Sequence, residues 1–227
     1  ALLISGPGLE KPQPIPAVRS GIRLGTREIT IFSRQLASLL KSGVPILRAL
    51  IIIRDQARLF RLYGYKVEIV AGLAKQFRKD IPVRIIKKMS PKHPLVLSVL
   101  QELEGGKISR NFKRLERSLF HSIKKYLIEN NLQVCIIHNL FTRTYNLALT
   151  SALSRLIADL PQIKFIAWVH DVVFYNEPNT KLDHLLGNQY PWELLVKPIP
   201  GLTYVCVSNF LKNNLMAAFN GSNPTEI

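Results

Sequence analysis

The sequence has no run of about 18 uncharged apolar residues, the length a membrane-spanning helix needs. Its longest apolar stretch, Val44 to Ile53, is broken by Arg48. Cysteine is scarce: Cys135 and Cys206 each sit inside an apolar run, VCII and YVCVS. That excludes a disulfide framework and a thiolate metal centre, and it reads as two core thiols in a reducing cytoplasm. No metal site is expected. No GxGxxG follows any strand-like run, which excludes a dinucleotide-binding turn. The opening ALLISGPG has no basic stretch before it and is not read as a signal peptide. A start at Ala1 is read as a fragment or a trimmed end.

Acidic residues are also few, 15 Asp and Glu against 31 Lys and Arg. The excess is uneven. Residues 1–56 carry a net +5, residues 57–130 a net +11, and residues 131–227 none. A basic block beside a neutral one points to an anionic partner: phospholipid, nucleic acid or a phosphorylated substrate. With 47% hydrophobic and 20% charged residues, the chain can bury a core.

Pro7, Pro12, Pro14 and Pro16 exclude regular helix or central strand over 7–16, so residues 1–28 read as a Pro-rich tail or linker. In ITIFSRQLASLLKSG, Phe32, Leu36, Leu39, Leu40 and Val44 fall on one helical stripe. Gly43 suits a helix end and Pro45 the first turn of the next helix, so 29–57 is expected to be a helical hairpin. From residue 58 strands alternate with helices. KVEIV (66–70), VRIIK (83–87), QVCII (133–137), KFIAWV (164–169) and LTYVCV (202–207) read as strands. Continuous apolar runs of this kind mark buried parallel strands. Ser109 to Asn130, Tyr145 to Ala158 and Asn209 to Phe219 read as helices. The expectation is an α/β fold: a Rossmann-like parallel sheet flanked by helices, preceded by the helical hairpin.

In such sheets ligands bind beyond the carboxyl ends of the strands. Three strands run into polar pairs there: His138–Asn139, His170–Asp171 and Ser208–Asn209. His170 is the candidate proton acceptor for a hydroxyl nucleophile, because an imidazole titrates near neutrality. Asp171 could orient it or bind a substrate hydroxyl, or cap its own loop. Ser208 is an N-cap that could also offer a helix N-terminus to a ligand oxygen.

These residues carry a resemblance. GYKVEIVAG (64–72), IIHNLFTRTYNLALTSAL (136–153), FIAWVHD (165–171) and YVCVSNFLKNNL (204–215) resemble, in order and spacing, the N-terminal domain of family 4 GT-B glycosyltransferases. The resemblance covers about residues 58–227 and implies an acceptor-binding domain. It implies His170 at the transferred sugar, and it matches His138–Asn139 after the preceding strand and Val207–Ser208 before a helix; Asp171 stands beside the candidate catalytic His170, and Asn209 beside Ser208, as further candidates from their place at the strand ends. No cofactor is implied within these residues. The nucleotide-sugar donor belongs to a second domain that the sequence does not contain, and transfer is expected only with it. The family's Gly-rich first loop has no counterpart here, although ALLISGPG could be its first strand.

A second resemblance lies in ITIFSRQLASLLKSGVPILRALIIIRDQ (29–56), carried by Phe32, Arg34–Gln35–Leu36 and Gly43–Val44–Pro45. It is similar to the opening of the F domain of type II secretion and type IV pilus inner-membrane platforms, and implies an alternative function through protein contact. The two together imply a mosaic or fragment.

The best helix, 109–130, has Phe112, Leu115, Leu119, Ile123 and Leu127 on one stripe. Burying five such side chains is worth about 7–15 kcal/mol, whereas each basic residue at an anionic bilayer adds about 1 kcal/mol. The apolar stripe therefore faces the core. Arg110, Lys113, Arg114, Arg117, Lys124 and Lys125 are left for an anionic membrane surface, which suits a lipid-linked acceptor. The expected location is cytoplasmic and peripheral on the inner face of the plasma membrane. Nucleic acid is disfavoured, because no nucleic-acid motif or aromatic interleaving is present.

Overall fold

The computed structural model describes residues 2–5, 55–61, 64–74, 81–172 and 189–219. The hairpin expected over 29–57 and most of the Pro-rich segment lie outside these residues, apart from a helical stretch over 55–61.

Six strands form one sheet: β1 (Leu2–Ser5), β2 (Lys66–Ala71), β3 (Val83–Ile85), β4 (Val134–His138), β5 (Lys164–Val169) and β6 (Leu202–Cys206). Their spatial order is β3-β2-β1-β4-β5-β6. Besides the 55–61 stretch, the described residues form α1 (Pro94–Glu104), α2 (Arg110–Glu129), α3 (Leu147–Asp159) and α4 (Asn209–Ala218).

The sheet is mixed, which corrects the all-parallel expectation. β2 pairs parallel with β3, and β4, β5 and β6 pair parallel in turn. β1 runs antiparallel to both of its neighbours, with Leu2 opposite Ile69 on one side and Ile136 on the other. β2 to β6 therefore share one direction and β1 alone opposes them. The physical reason lies in what LLIS encodes. Leu3 is buried against one face of the sheet and Ile4 against the other. Burial on both faces demands a central place, but it is indifferent to strand direction. The head of the segment read as a tail is thus a central strand.

Alternation divides the apolar residues between two layers. Cys135 and Ile137 of β4, Phe165 and Ala167 of β5, and Tyr204 of β6 enter a large core with α1 to α4. Ile136, with Ile4, Val67, Ile69, Ile81 and Ala57 of the 55–61 stretch, forms a smaller cluster on the other face. Trp168 packs against that smaller cluster.

α2 follows its sequence pattern. The Ser109 hydroxyl accepts from the Phe112 N–H at 3.1 Å and caps the first turn. Phe112, Leu115, Leu119, Ile123 and Leu127 are buried. Glu116 and Phe120 are buried as well, which the stripe does not imply. Their partner is α3: the Glu116 carboxylate accepts from Ser151 Oγ at 2.9 Å and Arg155 Nη1 at 3.0 Å, and the Arg155 guanidinium lies over the Phe120 ring. α1 has no counterpart in the sequence reading. Its Pro94 occupies the first turn, where a missing N–H costs nothing, behind a His93 cap.

Candidate functional site at the carboxyl edge of the sheet

His138 is the last residue of β4 and sits opposite Trp168 of β5. Its ring stacks between Trp168, with centroids 6.2 Å apart, and His170, 5.5 Å away and tilted by 19°. His138 Nδ1 and His170 Nε2 are 3.2 Å apart, a hydrogen bond between two imidazoles. The next residue, Asn139, has φ +49°, a left-handed conformation that Asn tolerates better than most residues.

That turn lets the Asn139 side chain cross to the β5 loop. Its Oδ1 accepts from the backbone N–H of His170 at 3.3 Å and of Asp171 at 3.2 Å. Its Nδ2 donates to Asp171 Oδ1 at 3.1 Å. Its own N–H donates to the Trp168 carbonyl at 2.9 Å. Asn139 therefore ties two strand ends together, and its amide is largely consumed in doing so. Arg143 completes the group: its Nε lies 3.5 Å from Asp171 Oδ1, and its Nη2 donates to the Tyr145 hydroxyl at 2.7 Å. The guanidinium carbon stands 4.8 Å over the Tyr145 ring.

Among the described residues, two buried nitrogens of this group, His138 Nε2 and His170 Nδ1, have no hydrogen-bond partner, and Arg143 Nε has only its ion pair with Asp171. A buried polar group without a partner is costly, so these strand ends are a candidate place for a ligand oxygen or a water. Burial holds the His138 imidazole well below its ordinary value, and His170 beside it acts in the same direction. Burial also lowers His170, while the Asp171 carboxylate partly offsets it. Both rings are thereby kept neutral at neutral pH, the form that accepts a proton. Asp171 keeps about a third of its side chain exposed and is the acidic group of the cluster that a ligand can reach.

The structure thus brings together His138, Asn139, His170 and Asp171. Ser208 caps α4, its hydroxyl accepting from the Leu211 N–H at 3.3 Å. Asn209 is exposed at the head of that helix. Neither shares a hydrogen bond with the His–Asn–Asp group among the described residues. Arg110, Lys113, Arg114, Arg117 and Lys125 are exposed on α2. Lys124 is half-buried and paired with Asp159 at 2.8 Å, and Lys125 pairs with Glu129 at 3.7 Å. Arg143, Tyr145 and Trp168 are site residues that the sequence reading passed over, because single residues in a loop or strand carry no spacing signal.

The described residues hold no cluster of three or more metal-ligating side chains and no helix long and apolar enough to cross a membrane. Burial pushes the Cys135 thiol up to about 12 and the Cys206 thiol up to about 11, so neither is a ready nucleophile. The chain matches no family model, no curated protein and no solved structure.

Proposed function

We propose that the chain is the acceptor-binding half of a two-domain GT-B sugar transferase similar to family 4, with its ligand seated at the carboxyl edge of β4 and β5. The observation that carries this reading is the contact of His138 with His170 at 3.2 Å beside the partly exposed Asp171 carboxylate, which Asn139 ties to the same strand ends. Two neutral imidazoles, a guanidinium and one accessible carboxylate suit a polyhydroxylated ligand, whose hydroxyls both donate and accept. In this reading His170 takes the proton of the reacting hydroxyl and Asp171 receives a second hydroxyl. The donor nucleotide-sugar belongs to the second domain. The exposed basic face of α2 holds the protein against anionic lipid on the cytoplasmic side, where a lipid-linked acceptor would be presented.

Saturation-transfer NMR with a panel of methyl glycosides and short oligosaccharides tests the site. Saccharide signals are expected with the native chain and at least about tenfold weaker binding in Asp171→Asn, the usual effect of losing a charged hydrogen-bond acceptor. A folded native chain that gives no saccharide signal rejects the reading.

A further inference from the structure

The basic residues fall into two classes. Lys66, Lys124, Lys125, Arg143, Arg155 and Lys197 each pair with a carboxylate. The bases from Arg84 to Arg117 have no such partner among the described residues. In α2 the imbalance works against the fold. Arg110, Lys113 and Arg114 stand at its start, and its first turn holds no acidic residue. A helix N-terminus is the positive end of the helix dipole, so bases there oppose it. The charge serves an anion from outside better than it serves the helix.

One of these bases is half-buried. Lys88 lies in a short 3-10 turn, Lys87–Met89, that follows β3. Its carbonyl accepts from Asn146 Nδ2 at 3.0 Å, at the head of α3. Its Nζ donates to Ser118 Oγ of α2 at 2.9 Å. The residue is thus held at both ends, and its ammonium has a neutral hydroxyl as partner. Taking an ammonium out of water without an anion is costly. Arg114, four residues before Ser118, is its neighbour one turn away on the same flank of α2. The nearby carboxylates are engaged elsewhere. Glu102 accepts from Asn111 and Ser98, Glu116 accepts from Ser151 and Arg155, and Glu129 pairs with Lys125. Exposed apolar side chains adjoin the same turn. Gly72 packs its backbone on Met89 and Ser90, and the next residue, Leu73, is 74% exposed. Ile85, two residues before Lys87, is exposed as well.

We propose that Lys87, Lys88 and Arg114, with the Ser118 hydroxyl, form a site for the phosphate monoester of a membrane lipid, and that Leu73 and Ile85 enter the bilayer beside it. The two ammonium groups supply point charges, and the guanidinium can hold two oxygens at once. Ser118 Oγ accepts from Lys88 and keeps its own O–H to donate. A phosphate monoester brings three acceptor oxygens and about 1.5–2 negative charges, whereas a diester brings fewer oxygens and less charge. A soluble ester would use the cations alone. Exposed Leu73 and Ile85 next to those cations favour a lipid, whose acyl region receives them. The site rests on the membrane-facing role proposed above for α2 and sharpens it: one headgroup is selected, not negative charge in general.

Co-sedimentation of the full chain with two vesicle sets of equal surface potential tests this, one set carrying phosphatidic acid and the other phosphatidylglycerol. The native chain is expected to bind the phosphatidic acid vesicles about tenfold more tightly, the factor that one further charge-assisted hydrogen bond supplies. Lys88→Gln, which keeps a donor for Ser118, should bring the two affinities within about twofold of each other. Arg117→Gln, off the Ser118 flank, should weaken both alike. Equal binding to neutral and anionic vesicles would reject the membrane role of α2 and the phosphate site with it. Preference for anionic vesicles without preference between the two headgroups would leave that role standing and overturn the site. So would a phosphatidic acid preference that survives in folded Lys88→Gln. Soluble glycerol phosphate bound as tightly as the vesicles would give the cations to a free ester and overturn the lipid. The headgroup comparison in the native chain decides even if Lys88→Gln fails to fold.

Discussion

The two parallel parts of the sheet end in opposite ways. β2 and β3 run into loops that close on each other: a Cβ on Gly72 would stand 2.1 Å from the Ser90 nitrogen, so backbone packs directly on backbone. β4 and β5 run into side chains, where His138 meets His170, Asn139 meets Asp171, and one nitrogen of each imidazole has no partner among the described residues. One pair of strand ends is sealed and the other is left polar and unsatisfied. A frame tolerates no vacancy, whereas a binding site requires one, and the same sheet supplies both.

The sealed end should be the less forgiving of the two. Gly72→Ala is expected to destabilise the fold by about 3 kcal/mol or more, because the atoms it meets are backbone and cannot turn aside. Urea unfolding measures this, and a cost near that of an ordinary surface change would mean that the β2–β3 end is open. At the polar end, Asn139→Ala removes the acceptor of two backbone N–H groups and puts a Cβ-bearing residue without a compensating side chain at φ +49°. A loss of about 1–3 kcal/mol is expected, together with loss of saccharide binding. Unchanged binding would separate Asn139 from the site.

Between about pH 7 and about pH 5, acid should act on the polar end. His138 and His170 titrate below their unfolded value of 6.5, so the unfolded chain binds more protons than the folded one as pH falls through that value. Stability is then lost on going from 6.5 down toward the lowered folded values, and regained as pH rises. The slope is at most about 1.4 kcal/mol per pH unit for each ring that stays neutral. Unfolding midpoints of the native chain and His138→Phe, compared between about pH 7 and about pH 5, should show a shallower dependence in the variant. The smallest effect on the fold belongs to the basic face of α2. Arg114→Glu should change stability by less than about 0.5 kcal/mol and yet weaken co-sedimentation with anionic vesicles. Equal binding of the native chain to neutral and anionic vesicles would remove the membrane from the account.

Much of the frame is legible in the sequence because burial writes itself into hydropathy. VCII is buried on both faces as its apolar run implies and the α2 stripe faces the core, whereas KFIAWV and LTYVCV bury one face and leave the other partly exposed. The direction of β1 is not legible, since Leu3 and Ile4 satisfy both layers whichever way the strand runs. α1 is missed because Val96, Val99 and Leu103 make a short stripe between a proline and paired glycines. Of the site, the strand-end pairs are legible as polar residues following apolar runs. Their mutual contacts are not. The turn at Asn139 that clamps the β5 loop, and the reach of Arg143 to Asp171, depend on loop conformation that no periodicity encodes.

The central claim is that the β4–β5 carboxyl edge is the ligand site. Amide and imidazole shift mapping of the labelled full chain, titrated with the saccharide that responds best, tests it most directly. Saturable shifts confined to residues 138–145 and 168–172 are the expected result. Shifts centred on α2 or on the β2–β3 end would contradict it, as would shifts that never saturate.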